Sequence, residues 1–282
     1  MNLLNPSRRN QVSFQNRTLE VLDNDRLRRA APSIFAGQAQ PGVSSRYSFL
    51  PTSEVVDAMR ADGWAPVQAF EQRVNLAERQ GFQKHVIRFQ RLDHIDNQTL
   101  GHRPEVVLLN SHDRSSAYQL HAGIFRLVCS NGMIIADGTF AHVSIRHSGF
   151  QPQQVIDAGA EVLRDVPRLM DNVRGYQDRQ LSIPERQAFA EAALLLRYDS
   201  LDEAPIAPAK VLEHRRSEDS GRDLWTTMNV VQENMIRGGL KDYSRRKPNG
   251  KRFARTRAIA GIDENVKLNK ALWHLAETLK NR

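Results

Sequence analysis

The 282-residue sequence contains a single cysteine and no apolar run of the roughly 18 residues that a membrane-spanning helix needs. Its N-terminal stretch, MNLLNPSRRNQVSFQNR, also lacks the apolar centre of a secretory signal. One cysteine cannot form an internal disulfide, and disulfides are characteristic of proteins from oxidising compartments. Together these absences predict a cytoplasmic protein without a membrane segment.

The sequence also lacks the short motifs that mark common enzyme classes. It has no GxxxxGK[ST] or GxGxxG loop for nucleotide phosphates, and no GxSxG elbow for a nucleophilic serine. It has no HExxH or CxxC spacing, and the histidines clustered in the middle of the chain show no metal-ligand spacing: His102, His112, His121, His142 and His147. We therefore predict no cofactor, no metal site and no catalytic residue.

What the sequence does contain is a concentrated positive charge. Residues 241–257, KDYSRRKPNGKRFARTR, which we call the basic segment, carry eight lysines and arginines against the single carboxylate of Asp242, a local net charge of +7. The whole chain has a net charge of +8, so the rest of it contributes only +1. A confined positive patch is the electrostatic footprint of a protein that contacts phosphate groups.

The basic segment also contains two aromatic side chains, which can stack on the bases of a single strand. We expect its cations and aromatics to form the nucleic-acid-binding residues: Lys241, Tyr243, Arg245, Arg246, Lys247, Lys251, Arg252, Phe253, Arg255 and Arg257. The alternative without a binding function is that the basic segment is a solvated surface turn between two helices. The arginines near the N-terminus give that region a weaker version of the same character.

Three functions fit this pattern. The first is a non-enzymatic protein that binds nucleic acid, with DNA as the expected partner and single strands favoured. The second is a metal-dependent nuclease or nucleic-acid-modifying enzyme that uses His112 and Asp113, for which Asp93, Asp96 and Glu105 are available as metal ligands. The third is an anti-host or regulatory protein whose basic segment binds an acidic protein partner.

Turn signals and apolar spacing divide the chain into three parts. Residues 1–45 are expected to form a poorly ordered basic arm, 46–200 an α+β core domain, and 201–282 a helical C-terminal region that carries the basic segment. In the core, a helix capped by Thr52 or Ser53 precedes a series of strands, and helical spacing begins near Gln153. Strands grouped before helices predict an α+β fold with a mostly antiparallel sheet and helices on one face. Pairing of sheet edges would allow a homo-oligomer.

One hairpin is predicted in detail. Asn131-Gly132 lies between two apolar runs and is typical of a two-residue type I′ turn. Such a turn would pair Cys129 with Ile134, and Arg126 with the opposite charge of Asp137. Both faces near the turn are apolar, so the hairpin is expected to be buried. Cys129 would then be a structural thiol of the core rather than a nucleophile.

Several stretches resemble a known family: LLNSHDRSSAYQL, the RLVCSNGM core from Arg126 to Met133, LWTTMNVVQENMIRGGL and KLNKALWHLAE. They are similar to the phage/plasmid-like proteins of domain of unknown function 932, over about residue 46 to the end. The resemblance implies a mobile-element setting, near replication and recombination functions, and no established reaction. The order of strands and helix also resembles, loosely, the core of Rad52-like annealing proteins, which is an analogy of fold alone.

Overall fold

The computed structural model describes residues 21–44, 47–92, 102–126, 132–135, 142–145, 152–244 and 255–282. The strands are β1 (Trp64–Glu71), β2 (His85–Arg91), β3 (His102–Asn110), β4 (Tyr118–Arg126), β5 (Gly132–Ile135) and β6 (His142–Ile145). The helices are α1 (Asn24–Ala30), α2 (Thr52–Ala61), α3 (Pro152–Arg164), α4 (Val166–Asp178), α5 (Ile183–Leu195), α6 (Pro208–Val211), α7 (Leu224–Arg237) and α8 (Ile262–Lys280). Within these ranges, no helix has the length and apolarity to cross a membrane.

The strands form one antiparallel sheet in the order β1-β2-β3-β4-β5, and β6 also pairs with β4. The far edge of β4 is divided between two strands, because Tyr118 to His121 pair with β6 whereas Ala122 to Phe125 pair with β5. The α+β class and the antiparallel sheet predicted from the sequence are confirmed.

The two faces of the sheet are covered differently. Side chains alternate between faces along each strand. One face packs on α2 and α3 through a large apolar cluster that includes Ile87, Phe89, Val106, Leu108, Leu120, Val55, Val56, Met59, Val155 and Val162. The other face carries a small cluster in which Val86, Val107 and Leu109 meet Ile262 and Val266 from the start of α8. The expectation of helices on one face therefore omitted the first turns of α8.

Helix α7 forms the centre of the C-terminal helices, and every residue from Leu224 to Met235 is buried. The rings of Trp225 and Trp273 meet edge to face with centroids 6.4 Å apart, and Tyr176 packs on Trp273 at 5.0 Å. Several polar side chains of α7 hydrogen-bond inside the protein. Asn234 Nδ2, for example, donates to the carbonyl of Val211 at 2.9 Å.

Two local expectations near the N-terminus need correction. Residues 21–36 are anchored on the core by Leu27, Ala31 and Ile34, which are fully buried, whereas residues 1–20 of the predicted arm lie outside the described residues. Helix α2 begins where predicted, but neither Thr52 nor Ser53 caps it, since Pro51 occupies the N-cap position. The hydroxyl of Thr52 is used elsewhere, as described below.

The predicted hairpin register is wrong. Ile134 lies opposite Gly123 instead of Cys129, and Phe125 pairs with Gly132. On the other edge of β4, Arg126 lies opposite His102 of β3. The physical reason is that β5 takes only the half of the β4 edge that β6 leaves open, and this tertiary pairing outweighs a local turn preference. Cys129, Asn131 and Asp137 themselves lie outside the described residues.

Truncation of Leu27 tests whether α1 is part of the core. Leu27→Ala should lower the free energy of unfolding by about 2–5 kcal/mol, because it leaves a cavity in a packed cluster. Leu76→Ala is the matched control, since Leu76 is 56% exposed and its truncation should change stability by less than about 0.5 kcal/mol. Urea unfolding of both variants gives the comparison. If both variants changed the free energy of unfolding equally, residues 21–44 would not be part of the core.

Candidate nucleic-acid interface

The two ends of the basic segment are held together at its base. After α7, Gly239 N–H donates to the carbonyl of Thr256 at 2.8 Å, and Thr256 N–H donates to the carbonyl of Leu240 at 3.0 Å. Lys241 and Arg255 form an antiparallel bridge directly beyond these bonds. The segment therefore leaves and re-enters the helical region at one place, and its first cation, Lys241, lies opposite Arg255.

This junction depends on a close approach of two backbones. Gly238 has a φ of +58°, and a Cβ atom there would lie 2.5 Å from the carbonyl carbon of Arg257. Ile259 N–H donates to the carbonyl of Ile236, the last turn of α7, at 2.8 Å. Only glycine fits at position 238, because any side chain would meet backbone atoms that cannot move aside.

The exposed surface at this base is positive. Lys241, Arg255 and Arg257 are exposed, and Tyr243 is 65% exposed. Asp242, the only acid of the segment, is buried instead: its Oδ2 accepts from Ala207 N–H at 2.8 Å and its Oδ1 from Ser244 N–H at 3.0 Å. The bonds from Ser244 and Ala207 lower the pKa of Asp242. The described part of the segment thus exposes its three cations and keeps the one carboxylate within the fold.

The remaining predicted contacts, Arg245, Arg246, Lys247, Lys251, Arg252 and Phe253, lie outside the described residues. Sequence reasoning overlooked two further cations at the base. Arg215 donates to Asn234 Oδ1 at 2.7 Å and to the carbonyl of Gly238 at 2.8 Å, while its backbone lies on the connection before α7. Arg237 pairs with Glu233 at 2.6 Å. The Arg215-Arg216 dipeptide is the sequence feature that could have indicated a further cation near the segment.

A second polar cluster, which we call the Thr52 cluster, lies on the sheet at the ends of β2 and β3. Thr52 Oγ1 is 2.9 Å from His85 Nε2, 2.9 Å from Asn110 Nδ2 and 3.1 Å from His112 Nε2. The hydroxyl of Tyr118 lies 3.4 Å away and donates to the carbonyl of Leu50. All of these side chains are fully buried. The cluster joins α2 to three consecutive parts of the sheet.

Burial determines the charge state of the Thr52 cluster. The pKa of His85 is lowered to about 4 by its burial, although a bond to the carbonyl of Gln83 and the nearby Asp113 oppose this. His85 is therefore neutral near pH 7, and its Nδ1 lies 3.0 Å from Ser33 Oγ. A buried neutral imidazole can both donate and accept, which suits a site between two hydroxyl groups.

The loop after β3 carries the acid that the enzymatic alternative uses. Burial alone would raise the pKa of Asp113, but bonds from Ser115, Arg79 and Ser111 together lower it. Arg79 donates to Asp113 Oδ2 from two nitrogens, at 2.6 and 2.8 Å. Asp113 is thus ionised near pH 7, and its carboxylate holds the loop by accepting a hydrogen bond from Ser115 N–H. The side chain of Asp113 is hydrogen-bonded to Arg79, and that of His112 is hydrogen-bonded to Thr52.

No grouping of three or more His, Cys, Asp or Glu suited to a metal ion occurs in the part of the chain that the structure describes. Glu105 is buried and bonded to Arg88 and Gln90, whereas Asp93 and Asp96 fall outside that part. The register does place His121 opposite His142, a pairing that the irregular spacing of the histidines gave no reason to expect. His147 is also outside the described residues.

The sheet and the helices together define the class: an α+β protein whose helical C-terminal region contains the basic segment. The chain belongs to the family described as domain of unknown function (DUF932), whose model matches residues 41–273. This confirms the family resemblance seen in the sequence. The chain is similar to UPF0380 protein YfjQ and UPF0380 protein YafZ of Escherichia coli (strain K12). Each is 39% identical over 258 residues, which cover 92% of this chain and 91% of the relative. No solved structure matches it.

Acid should destabilise the protein through His85. The pKa of His85 is about 4 in the folded state against 6.5 ordinarily, so the unfolded chain binds more protons between these values. The contribution of neutral His85 is therefore complete above pH 6.5 and is lost as the pH falls toward 4, by about 3 kcal/mol. Urea unfolding across this pH range measures the loss.

The matched variants separate this effect from general acid denaturation. His85→Gln should flatten the dependence of unfolding free energy on pH between 4 and 6.5. His274→Gln, which changes an exposed histidine on α8, should retain the wild-type dependence. If His85→Gln kept the full slope, another group would be responsible.

Proposed function

We propose that this protein binds nucleic acid through the basic segment and catalyses no reaction itself. DNA is the expected partner, single strands are favoured, and the setting is the DNA metabolism of phages or plasmids. Strand annealing is the form of activity that the loose resemblance to Rad52-like proteins favours. In that case copies of the chain would assemble through a sheet edge such as β1, which ends the strand order.

The observation that carries the proposal is the separation of charge at the base of the segment. Lys241, Arg255 and Arg257, the cations of the segment that the structure describes, are exposed, and its only carboxylate is buried against Ala207 and Ser244. A surface turn that served only to connect helices would have no need of this arrangement. Because phosphates are spaced along a strand, a row of exposed cations gains affinity from each contact and releases counterions.

Tyr243 supports the preference for single strands. It is 65% exposed next to Lys241, at the point where the segment leaves the helical region. Exposing a tyrosine ring to water stabilises nothing by itself, whereas an unpaired base can stack on it. In a duplex the faces of the bases are occupied by their neighbours, so this contact would favour a single strand.

The enzymatic alternative receives less support from the geometry. His112 is fully buried, and its Nε2 is held at Thr52 rather than at a cleft. A general base must reach the proton that it removes, directly or through one water. The acidic protein partner remains an outcome of the binding test, because it would use the same exposed cations.

The charge of the segment should govern the dependence of binding on salt. On single strands the slope of log K against log salt is about −0.7 for each phosphate contacted. Replacing Arg245, Arg246, Lys251 and Arg252 by glutamine should therefore weaken binding and make the slope about 3 units shallower. Fluorescence anisotropy with labelled single- and double-stranded DNA and RNA measures both quantities.

The control for this experiment removes the same charge elsewhere. Glutamine at four exposed arginines outside the segment, Arg73, Arg164, Arg174 and Arg282, should leave most of the slope in place. Equal losses in the two variants would indicate a general effect of net charge. The proposal would be contradicted if the protein bound no oligonucleotide at low salt. It would also be contradicted if the basic segment bound an acidic protein and no nucleic acid.

Substitution of Tyr243 tests the stacking contact. Tyr243→Ala should cost about 1–3 kcal/mol in binding a single strand and much less in binding a duplex, because only the single strand offers a base face. Tyr243→Phe should restore the affinity, since it keeps the ring and removes the hydroxyl. Parallel titrations with both forms of DNA give the comparison. An equal loss for single strand and duplex would argue against stacking.

A further inference from the structure

Two arginines that are far apart in the sequence are held on adjacent peptide groups at the end of α7. Arg215 Nη2 donates to the carbonyl of Gly238 at 2.8 Å, and Arg255 Nε donates to the carbonyl of Gly239 at 3.2 Å. Because consecutive Cα atoms are only about 3.8 Å apart, the two guanidinium groups lie close together. Both residues are exposed. A cation from the connection before α7 thus joins those at the base of the basic segment.

Arg215 is held in place by a buried amide. Asn234, which is 1% exposed, donates from Nδ2 to the carbonyls of Val211 and Glu213 at 2.9 and 2.8 Å. Its Oδ1 accepts from Arg215 Nε at 2.7 Å. One buried side chain therefore fixes both the backbone that leads to Arg215 and its guanidinium group. An arginine placed in this way loses little further conformational freedom when it binds a ligand.

Arg255 is held by contacts with the backbone. It forms an antiparallel bridge with Lys241, and the N–H of Thr256 beside it donates to the carbonyl of Leu240 at 3.0 Å. Gly239 has a φ of +82°, and a Cβ atom there would lie 3.1 Å from Arg255 Nη2. Glycine at position 239 therefore leaves the room in which this guanidinium group lies against the chain.

The carboxylate that is closest along α7 is bonded to other cations. Glu233 pairs with Arg216 and Arg237. Among the residues that the structure describes, no carboxylate forms an ion pair with Arg215 or Arg255. Their bonds to the protein go to neutral amide and carbonyl oxygens and use only part of each guanidinium group. The remaining N–H groups of both arginines are therefore available to an anion.

We propose that Arg215 and Arg255 form a fixed clamp for a phosphate group, and that a nucleic-acid backbone supplies this phosphate. The inference rests on the proposed function and names the contact that fixes the strand at the base of the basic segment. A guanidinium fork matches two oxygens of a phosphate, so two forks on adjacent peptide groups can hold one phosphate between them. Because both groups are already positioned, this contact costs less ordering than one made by a freely rotating side chain.

The Nε–H groups of the two arginines report on the clamp directly. Each is hydrogen-bonded to a protein oxygen and should give a ¹H–¹⁵N signal in the full-length protein, assigned by its loss in Arg215→Lys or Arg255→Lys. A short oligothymidylate should shift both signals, and inorganic phosphate, compared with chloride at equal ionic strength, forms the second arm. Arg79 is the internal control, because its Nε is bonded to Asp113 and its signal should not move.

Lysine variants separate the clamp from charge alone. Arg215→Lys keeps the charge and removes the fork, so the salt slope should persist while the affinity for oligothymidylate falls about tenfold, the loss of one charge-assisted hydrogen bond. Arg255→Lys should behave alike, and Arg73→Lys, at an exposed arginine elsewhere, should bind as the wild type does. Hydrogen exchange of Gly239 N–H, which bonds Thr256, should stay slow in both clamp variants. Loss of this protection together with affinity would assign the arginines a structural role and overturn the clamp.

The outcomes distinguish this inference from the proposed function. Oligothymidylate binding that leaves the Arg215 and Arg255 signals unmoved would overturn the clamp and leave the proposed function in place. Full affinity in both lysine variants would do the same. If inorganic phosphate shifted both signals and no oligonucleotide bound, the phosphate clamp would be supported, and both its nucleic-acid source and the proposed function would be contradicted.

Discussion

The hydroxyl of Thr52 is the contact on which the arrangement of the sheet and its N-terminal cover depends. It lies within hydrogen-bonding distance of side chains from β2, β3 and the loop that follows β3, all of them buried. Polar groups buried without partners cost free energy, so these side chains hold one another in a single arrangement. Because Ser33 bonds His85 from outside the sheet, the same cluster fixes residues before α2 on the core.

The sheet in turn helps to place the basic segment. The segment ends five residues before α8, and α8 begins on the sheet, where Ile262 and Val266 meet Val86 and its neighbours. Lys84, almost fully buried, bonds both oxygens of Asp263 at 2.6 and 2.7 Å. At the other side, the segment follows a helix that is buried along nearly all its length. Both flanks of the segment are therefore held by packed elements, although Lys241 and Arg255 at its base are exposed.

Much of the fold was predictable because its elements have strong apolar spacing. Helix α2, the strands β1 to β4 and the later helices follow the periodicity of buried residues such as Val55 and Phe89. The hairpin prediction failed because a turn preference is local, whereas the register of β5 depends on how β6, a strand outside the predicted hairpin, shares the edge of β4. The Thr52 cluster was missed for a related reason. A threonine at a helix start resembles a cap, and nothing in the sequence indicates that its hydroxyl meets His85.

The sequence by itself determined the α+β class, the family and the concentration of positive charge in residues 241–257, since composition, motif and spacing are local properties. Only the tertiary structure decided that Asp242 is buried while its neighbours are exposed, and that the two ends of the segment meet. Such contacts arise from packing between distant elements, and packing is settled by the whole core rather than by any single stretch.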